Sequence, residues 1–196
     1  MNPSKPRTRP PAVRQLNGLP FNLDGWIAQN MTGDQGTVGN KEVFKQSDFI
    51  FQIIKGPNRR NDYHIDPYDE IFFQLRGTAF VRYREPDGTP KLATSKQGDV
   101  LLIAAFTPHS PLRPPDTVGL VVERPRAPQE LDGVAWYCEG CGKLLEEVWI
   151  ACQDIEQQLK PTLDAFNADP ARRTCRHCGA LLPHPEQDPP WSRLTR

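Results

Sequence analysis

The sequence predicts a mainly β protein: an antiparallel sandwich or barrel, followed by a small C-terminal subdomain built around four cysteines. Three observations lead to this prediction. Short runs rich in aromatic and β-branched residues recur at spacings of roughly 8–12 residues, with turn residues between them. Proline is frequent, at 21 of 196 residues, which lowers the expected helix content. Two Cys-x-x-Cys pairs lie near the C-terminus.

The chain is expected to begin with a flexible arm over residues 1–20. Prolines alternate there with Lys and Arg, and no acidic residue occurs before Asp24. A transit peptide is also arginine-rich, but it forms an amphipathic helix, which this proline density forbids. A short amphipathic helix around Trp26, capped by Asn22 or Asp24, is expected to follow.

Six strands are predicted in the next hundred residues. Their aromatic and β-branched side chains fit a pleated, half-buried surface. In one of them Ala, Val and Tyr alternate with Arg, which is the period of a strand with one buried face. Pro86-Asp87-Gly88 indicates a turn. The predicted strands are Asp48–Lys55, Glu70–Arg76, Thr78–Arg84, Lys91–Ser95, Val100–Ala105 and Val118–Glu123.

The character of the chain changes after the last of these strands, where Pro125 and Pro128 indicate a linker. We therefore assign residues 21–128 to the barrel domain and residues 129–183 to the C-terminal subdomain. The polar, proline-rich residues 184–196 are expected to form a frayed tail.

A strand-like run ending at Ile150 and then a helix over Gln153–Asn167 are predicted inside the subdomain. Pro161 is expected to kink or split this helix. Its apolar face consists of Ile155, Leu159, Leu163 and Phe166.

Charge and hydropathy exclude several classes of function. Lys plus Arg and Asp plus Glu both number 24, so the net charge is zero, whereas a non-specific nucleic-acid binder needs an excess of cations. No apolar run approaches the roughly 20 residues that span a bilayer. The N-terminus also lacks the apolar region of a secretory signal. We expect no nucleic-acid or membrane partner, and a cytoplasmic location.

Two histidines and a glutamate are candidate metal ligands. His64 precedes the predicted strand that begins at Glu70, and His109 lies far downstream. On separate strands of one barrel, two imidazoles and one carboxylate form a facial triad with three open coordination positions. This arrangement suits an Fe(II) ion that must bind both a substrate and dioxygen. Most chains contain such residues, so the residues alone leave metal ligation open.

The two Cys-x-x-Cys pairs predict a second metal site. Gly142 and Gly179 follow the pairs and allow backbone N–H groups to turn toward the thiolates. Four thiolates suit tetrahedral Zn(II) or a rubredoxin-like iron, and they leave no open position, so this site is structural. Cys152 is left over as a buried thiol. The predicted ligands are Cys138, Cys141, Cys175 and Cys178.

Gly56–Gly77 and Gly98–His109 resemble the two motifs of cupins, which are double-stranded β-helix (jelly-roll) barrels. Asp66 stands where many cupins have a second histidine, and Arg113 replaces the terminal asparagine of the second motif. With these departures the chain resembles the 3-hydroxyanthranilate 3,4-dioxygenase family over about residues 21–183. The matching stretches are GPNRRNDYH, DEIFFQLRG, PHSPLR and GLVVERPR, with WYCEGCG and CRHCG typical of the subgroup that has a second metal site.

The resemblance implies Fe(II) at His64, Glu70 and His109, and a second iron at the four cysteines. The residues alone leave iron or zinc open there. The implied reaction is ring opening of 3-hydroxyanthranilate by O2 to 2-amino-3-carboxymuconate semialdehyde, a precursor of quinolinate and NAD in the kynurenine pathway. A homodimer is also implied.

Roles for three further residues follow from the same resemblance. Arg113 matches the arginine that binds the ring carboxylate, and Arg60 the arginine near oxygen and substrate. Glu123 matches the carboxylate that accepts from the hydroxyl and amine side and handles a proton, while Glu70 also borders the substrate. From the residues alone, one of Arg59 and Arg60 could be a solvated charge. Arg113 could be an ordinary loop residue, and Glu123 could pair with Arg124 or Arg126 at the barrel rim.

Two alternative functions remain open from the sequence. A different cupin enzyme could use the same triad on another aminophenol or catechol carboxylate. A non-catalytic cupin with a zinc ribbon could serve as an adaptor, and it would consume no oxygen with any aromatic substrate.

Overall fold

The computed structural model describes residues 19–33, 39–45, 47–152 and 155–195. The predicted arm therefore lies almost wholly outside the described residues. The described strands are β1 Asn40–Glu42, β2 Ile50–Lys55, β3 Tyr63–Ile65, β4 Glu70–Arg76, β5 Ala79–Arg84, β6 Pro90–Ser95, β7 Val100–Ile103, β8 His109–Leu112, β9 Val118–Glu123, β10 Asp132–Tyr137 and β11 Leu144–Ile150. The α-helices are α1 Leu23–Asn30, α2 Ile155–Asn167 and α3 Pro170–Arg173, and Pro190–Arg193 forms a 3-10 helix.

The strands form two antiparallel sheets, β1-β2-β9-β4-β7 and β11-β10-β3-β8-β5-β6. Strands β2 to β9 are distributed as β2-β9-β4-β7 in one sheet and β3-β8-β5-β6 in the other. This is the order of an eight-stranded jelly roll, the topology of cupins. The predicted mainly β barrel is confirmed.

All six predicted strands occur, with ends displaced by no more than two residues. The sequence missed β1, β3, β8 and β10. Strands β3 and β8 have only three and four residues, and every one of them is buried. Without an exposed face they lack the alternating pattern that identifies a strand.

The barrel interior is apolar at its centre, where Ile54, Phe72, Val81, Ile103 and Val121 form one buried cluster. The predicted short helix, α1, packs outside the first sheet against a second apolar cluster. Its N-cap is Asn22, whose side chain accepts a hydrogen bond from Gly25 N at 2.8 Å.

The C-terminal segment is continuous with the barrel. Strand β10 pairs with both β3 and β11, so residues after the expected boundary at 128 extend the second sheet. The predicted helix is present as α2 and runs through Pro161 without being split. Leu159, Leu163 and Phe166 pack on β10, with the Phe166 ring stacked 4.0 Å from Trp136. The side chain of Ile155 lies outside the described residues.

The expectation of a frayed tail differs from the structure. Trp191, in the 3-10 helix, donates from Nε1 to the carbonyl oxygen of Asn58 at 2.7 Å, and Arg193 pairs with Glu139. A polar, proline-rich composition hides these contacts, because each depends on a partner more than fifty residues away. Among the described residues, no helix is both long and apolar enough to span a membrane.

Candidate metal centre

The structure brings His64, Glu70 and His109 together inside the barrel. His64 lies in β3, and His109 is its cross-strand partner at the start of β8. Glu70 begins β4 and reaches in from the opposite sheet. All three side chains are buried, and one ligand atom from each lies within 4.8 Å of the others.

Hydrogen bonds orient both imidazoles. His109 donates from Nδ1 to the carbonyl oxygen of Thr107 at 2.9 Å, which leaves Nε2 facing Glu70 Oε1 at 3.0 Å. His64 donates from Nε2 to Asp132 Oδ1 at 2.7 Å, which leaves Nδ1 at 3.7 Å from the same carboxylate oxygen. Each ring therefore has one nitrogen committed and directs a lone pair at Glu70, as metal-binding histidines do.

Glu70 provides the test of whether a metal fits. Its Oε1 is buried, and among the described residues it has no hydrogen-bond partner other than the His109 imidazole that faces it. Burial raises the pKa of this carboxyl, but the imidazoles of His109 and His64 outweigh that effect and bring the pKa to about 2, so Glu70 is ionised. With a neutral His109, lone pairs would face each other across 3.0 Å, so either a proton or a metal cation must lie between them. A divalent metal ion fits this site.

Without a bound metal, a proton on His109 would lie in the same place. Burial lowers the pKa of His109, but the adjacent Glu70 carboxylate reverses this effect and raises the pKa above its ordinary value. Metal binding must therefore release that proton.

Arg126 lies at the centre of a buried ionic network beside the triad. Its guanidinium is 2.6 Å from Glu123 Oε2, from Asp66 Oδ2 and from Asp132 Oδ1. Burial lowers the pKa of Arg126, but Glu123 and the other carboxylates raise it by more than burial lowers it. The pKa is therefore above its ordinary value, and Arg126 stays charged. The pairing of Glu123 with Arg126 that the sequence allowed is present, although it is buried and not at the rim. Gln52 Nε2 donates to the other oxygen of Glu123.

Asp66, which replaces the usual second histidine, joins this network. Burial, followed by the nearby charge of Glu70, raises its pKa to about 10, although the Arg126 guanidinium acts in the opposite direction. Asp66, Glu70 and Glu123 together form a second group of carboxylates close enough to share a cation.

Arg60 lies at the triad and is not a surface charge. It is buried, and Asp62 holds it through two bonds, Nε–Oδ1 at 2.9 Å and Nη2–Oδ2 at 2.5 Å. It lines the same small cavity as His64 and His109. Its neighbour Arg59 instead pairs with Glu186, which is half exposed.

Arg113 is a buried cation without a counter-charge. It is 2% exposed, and no carboxylate among the described residues lies within ion-pair distance. Nη1 donates to Gln74 Oε1 at 3.1 Å, while Nε has no partner in the described part of the chain. Burial, followed by the charge of Arg60, lowers its pKa to about 10. A buried, unneutralised guanidinium is costly to keep, so this arrangement is suited to receive an anion.

The cavity at the triad is small, at about 30 Å³. That volume holds about one water molecule, so an aromatic acid enters only when lining side chains move. Two larger cavities, of about 570 and 300 Å³, lie elsewhere: one between β5 and the first cysteine pair, the other beside α3. Neither touches the triad, and the buried donor set identifies the site better than cavity size.

The four predicted cysteine ligands also meet. Cys138 Sγ lies 3.5 Å from Cys178 Sγ, and Cys141 Sγ lies 3.6 Å from Cys175 Sγ. All four sulfur atoms fall within 4.8 Å of one another, as tetrahedral metal coordination requires. Hydrogen bonds from backbone N–H groups of Cys178 and His177 lower the pKa of Cys175 to about 6, which favours the thiolate.

Sequence reasoning missed the residues that support the site. Asp62 could have been found, because it lies midway between Arg60 and His64. Arg126 was considered only as a partner of Glu123 at the barrel rim, and Asp132 gave no signal, since it follows the last predicted barrel strand in a stretch that resembles a linker.

The fold and the site together define a metal-binding cupin. Comparison with known proteins goes further: the chain belongs to the family described as 3-hydroxyanthranilic acid dioxygenase, whose model matches residues 15–167. A protein from Bacillus thuringiensis (strain Al Hakam) named 3-hydroxyanthranilate 3,4-dioxygenase is 40% identical over 163 residues, covering 83% of this chain and 91% of that protein. A protein of the same name from Burkholderia lata is 41% identical, covering 85% and 95% respectively.

Solved structures give weaker matches. A cupin-2 domain protein from Shewanella frigidimarina aligns with a TM-score of 0.42 and 16% identity, over 53% of this chain and 93% of that one. Hydroquinone 1,2-dioxygenase from Sphingomonas sp. TTNP3 aligns with a TM-score of 0.43 and 19% identity, over 53% and 31%.

Proposed function

We propose that the protein is an Fe(II)-dependent dioxygenase that opens the ring of 3-hydroxyanthranilate with O2 to give 2-amino-3-carboxymuconate semialdehyde. The observation that carries this proposal is the unneutralised Arg113 guanidinium, buried in the same barrel as the two-histidine, one-glutamate group. The family named for this substrate supports it. Both oxygen atoms of O2 are retained in the product.

His64 Nδ1, Glu70 and His109 Nε2 would hold the iron. When bound there, Fe(II) would bring the aminophenol and dioxygen into one coordination sphere, so that their reaction becomes effectively unimolecular.

The surrounding residues bind and orient the substrate. Arg113 binds the ring carboxylate, for which a planar guanidinium offers two parallel donors. Arg60, fixed by Asp62, directs a positive charge toward the cavity, where charge develops on oxygen during the reaction. Glu123, fixed by Arg126 and Gln52, accepts a proton from the substrate's hydroxyl and amine side.

The first experiment is oxygen uptake by protein loaded anaerobically with Fe(II), started by adding 3-hydroxyanthranilate. We expect one O2 per substrate and the ring-opened product. His64→Ala is expected to lose iron at this site and all turnover. His184→Ala, a histidine in the C-terminal segment, is the matched control and is expected to keep both.

The oxygen-uptake experiment also distinguishes the alternative functions. No uptake by iron-loaded protein would overturn the proposed reaction. Uptake with a catechol carboxylate but not with 3-hydroxyanthranilate would favour the related cupin enzyme, and no uptake with any aromatic substrate would favour the adaptor.

The proposal has three further parts. The four cysteines hold iron, in keeping with the subgroup, and metal analysis distinguishes iron from zinc. The protein forms a homodimer, which sedimentation tests. It works in the cytoplasm, which localisation of a tagged full chain tests.

A further inference from the structure

The position of the Arg113 guanidinium depends on two neighbours, Gly119 and Asn58, that are not candidate metal ligands. Gly119 lies in β9, on the same face as Val121 and Glu123, and it faces the barrel interior. A Cβ placed on Gly119 would lie 2.3 Å from Arg113 Nη1, 2.6 Å from Nη2 and 2.7 Å from Cζ. The guanidinium therefore rests against the Gly119 backbone, in space that any side chain would fill.

Asn58 fixes the other end of the same residue. Its backbone N donates to Arg113 O at 3.1 Å, and its Oδ1 accepts from Arg113 N at 2.9 Å. Its Nδ2 donates to Pro111 O at 2.7 Å. Asn58 is itself buried. The Arg113 backbone is thereby clamped, so it cannot shift to absorb a change at the guanidinium.

A displaced Arg113 guanidinium would lose the contacts that hold it. Its only described side-chain hydrogen bond is to Gln74, which pairs with Gly119 across β4 and β9. Arg60 also lies close enough for the two positive charges to repel each other. Because the overlap is with the end of a long side chain and not with backbone, a methyl group at Gly119 would move the guanidinium while leaving the strands in place.

We propose that Gly119 is a specificity-determining residue. Because Gly119 has no side chain, the Arg113 guanidinium can lie where it binds the carboxylate of the aromatic substrate. Asn58 is the positioning residue that holds the Arg113 backbone there. This inference rests on the proposed function, in which Arg113 binds the ring carboxylate.

The test compares two ligands that differ only in the carboxylate, 3-hydroxyanthranilate and 2-aminophenol. Dissociation constants are measured by anaerobic equilibrium dialysis with the iron-loaded full chain. We expect Gly119→Ala to weaken binding of the acid by about tenfold or more, since a hydrogen-bonded charge pair is lost. Binding of 2-aminophenol is expected to change by less than about twofold, because this ligand has no carboxylate for Arg113 to bind. Gly25→Ala in α1 is the matched control, where a Cβ meets only ordinary contacts.

A double variant shows whether Gly119 acts through Arg113. If it does, Gly119→Ala adds no further loss of acid binding in the Arg113→Ala background, because the group it displaces is already absent. A general structural role would weaken both ligands equally and would persist in that background.

The outcomes separate this inference from the proposed function. Equal weakening of both ligands, unchanged binding of the acid, or a loss that persists without Arg113 would each overturn the role of Gly119 alone. If the wild-type protein binds 2-aminophenol as tightly as the acid, the carboxylate role of Arg113 fails, and this inference fails with it.

Discussion

At the scale of single residues, Asp132 is the support on which the metal site most depends. Its carboxylate accepts the Nε2 hydrogen of His64 and is held in turn by Arg126. We expect Asp132→Asn to weaken Fe(II) binding by about 10–100-fold, the usual effect of removing a carboxylate behind a metal-bound histidine. Competition with a chelator measures this. Asp188→Asn, at a surface pair with Arg193, is the control; equal affinities in all three proteins would contradict the prediction.

His109 gives the same site a pH dependence. Its pKa is raised in the metal-free protein, so below that pKa a proton must leave before the metal binds. Fe(II) affinity is therefore expected to rise with pH below the His109 pKa, by about tenfold per pH unit for one released proton, and to level off above that pKa. Chelator competition at several pH values tests this, and affinity that is constant across the range would be the contrary result.

At the scale of elements, α2 supports β10, the strand that begins with Asp132. Leu163 is buried at the centre of that contact, against Val134 and Trp136. Leu163→Ala is expected to lower the free energy of unfolding by about 2–5 kcal/mol, because it leaves a cavity in a packed cluster. Urea denaturation of the metal-loaded protein measures this. Lys160→Ala, on the exposed face of the same helix, is expected to have little effect, and a similar loss in both variants would argue against the packing.

At the scale of the whole molecule, the cysteine group and the triad are separate sites joined by one sheet. Cys175→Ser is expected to reduce the bound metal from two ions to one per chain and to lower the melting temperature, since a metal held by all four thiolates would join the two loops that carry them. Cys152→Ser is the control, because this buried cysteine lies outside the group. Metal analysis after gel filtration distinguishes them, and loss of both ions in Cys175→Ser would contradict independent sites.

Much of the fold and of the ligand set is predictable because the signals are local. Motif spacing identifies His64, Glu70 and His109. Residue composition is enough to predict the first and last residues of β4 and β9. The supports are not predictable in this way. Asp132 meets His64 across 68 residues of chain, and β8 contains a proline and no exposed face. Such features depend on which surfaces the barrel brings together, and a single sequence does not display that.

The two imidazoles belong to one sheet and the carboxylate to the other. A cation at their centre therefore joins the two sheets of the jelly roll. The sheets also meet through apolar side chains and through Arg126, which pairs with Glu123 of one sheet and Asp132 of the other. Separating the two sheets would require breaking metal–ligand bonds as well as exposing the core, so metal binding and the stability of the barrel are linked by mass action. The ligands that would position the metal for chemistry are thus also the ones through which it would hold the barrel closed.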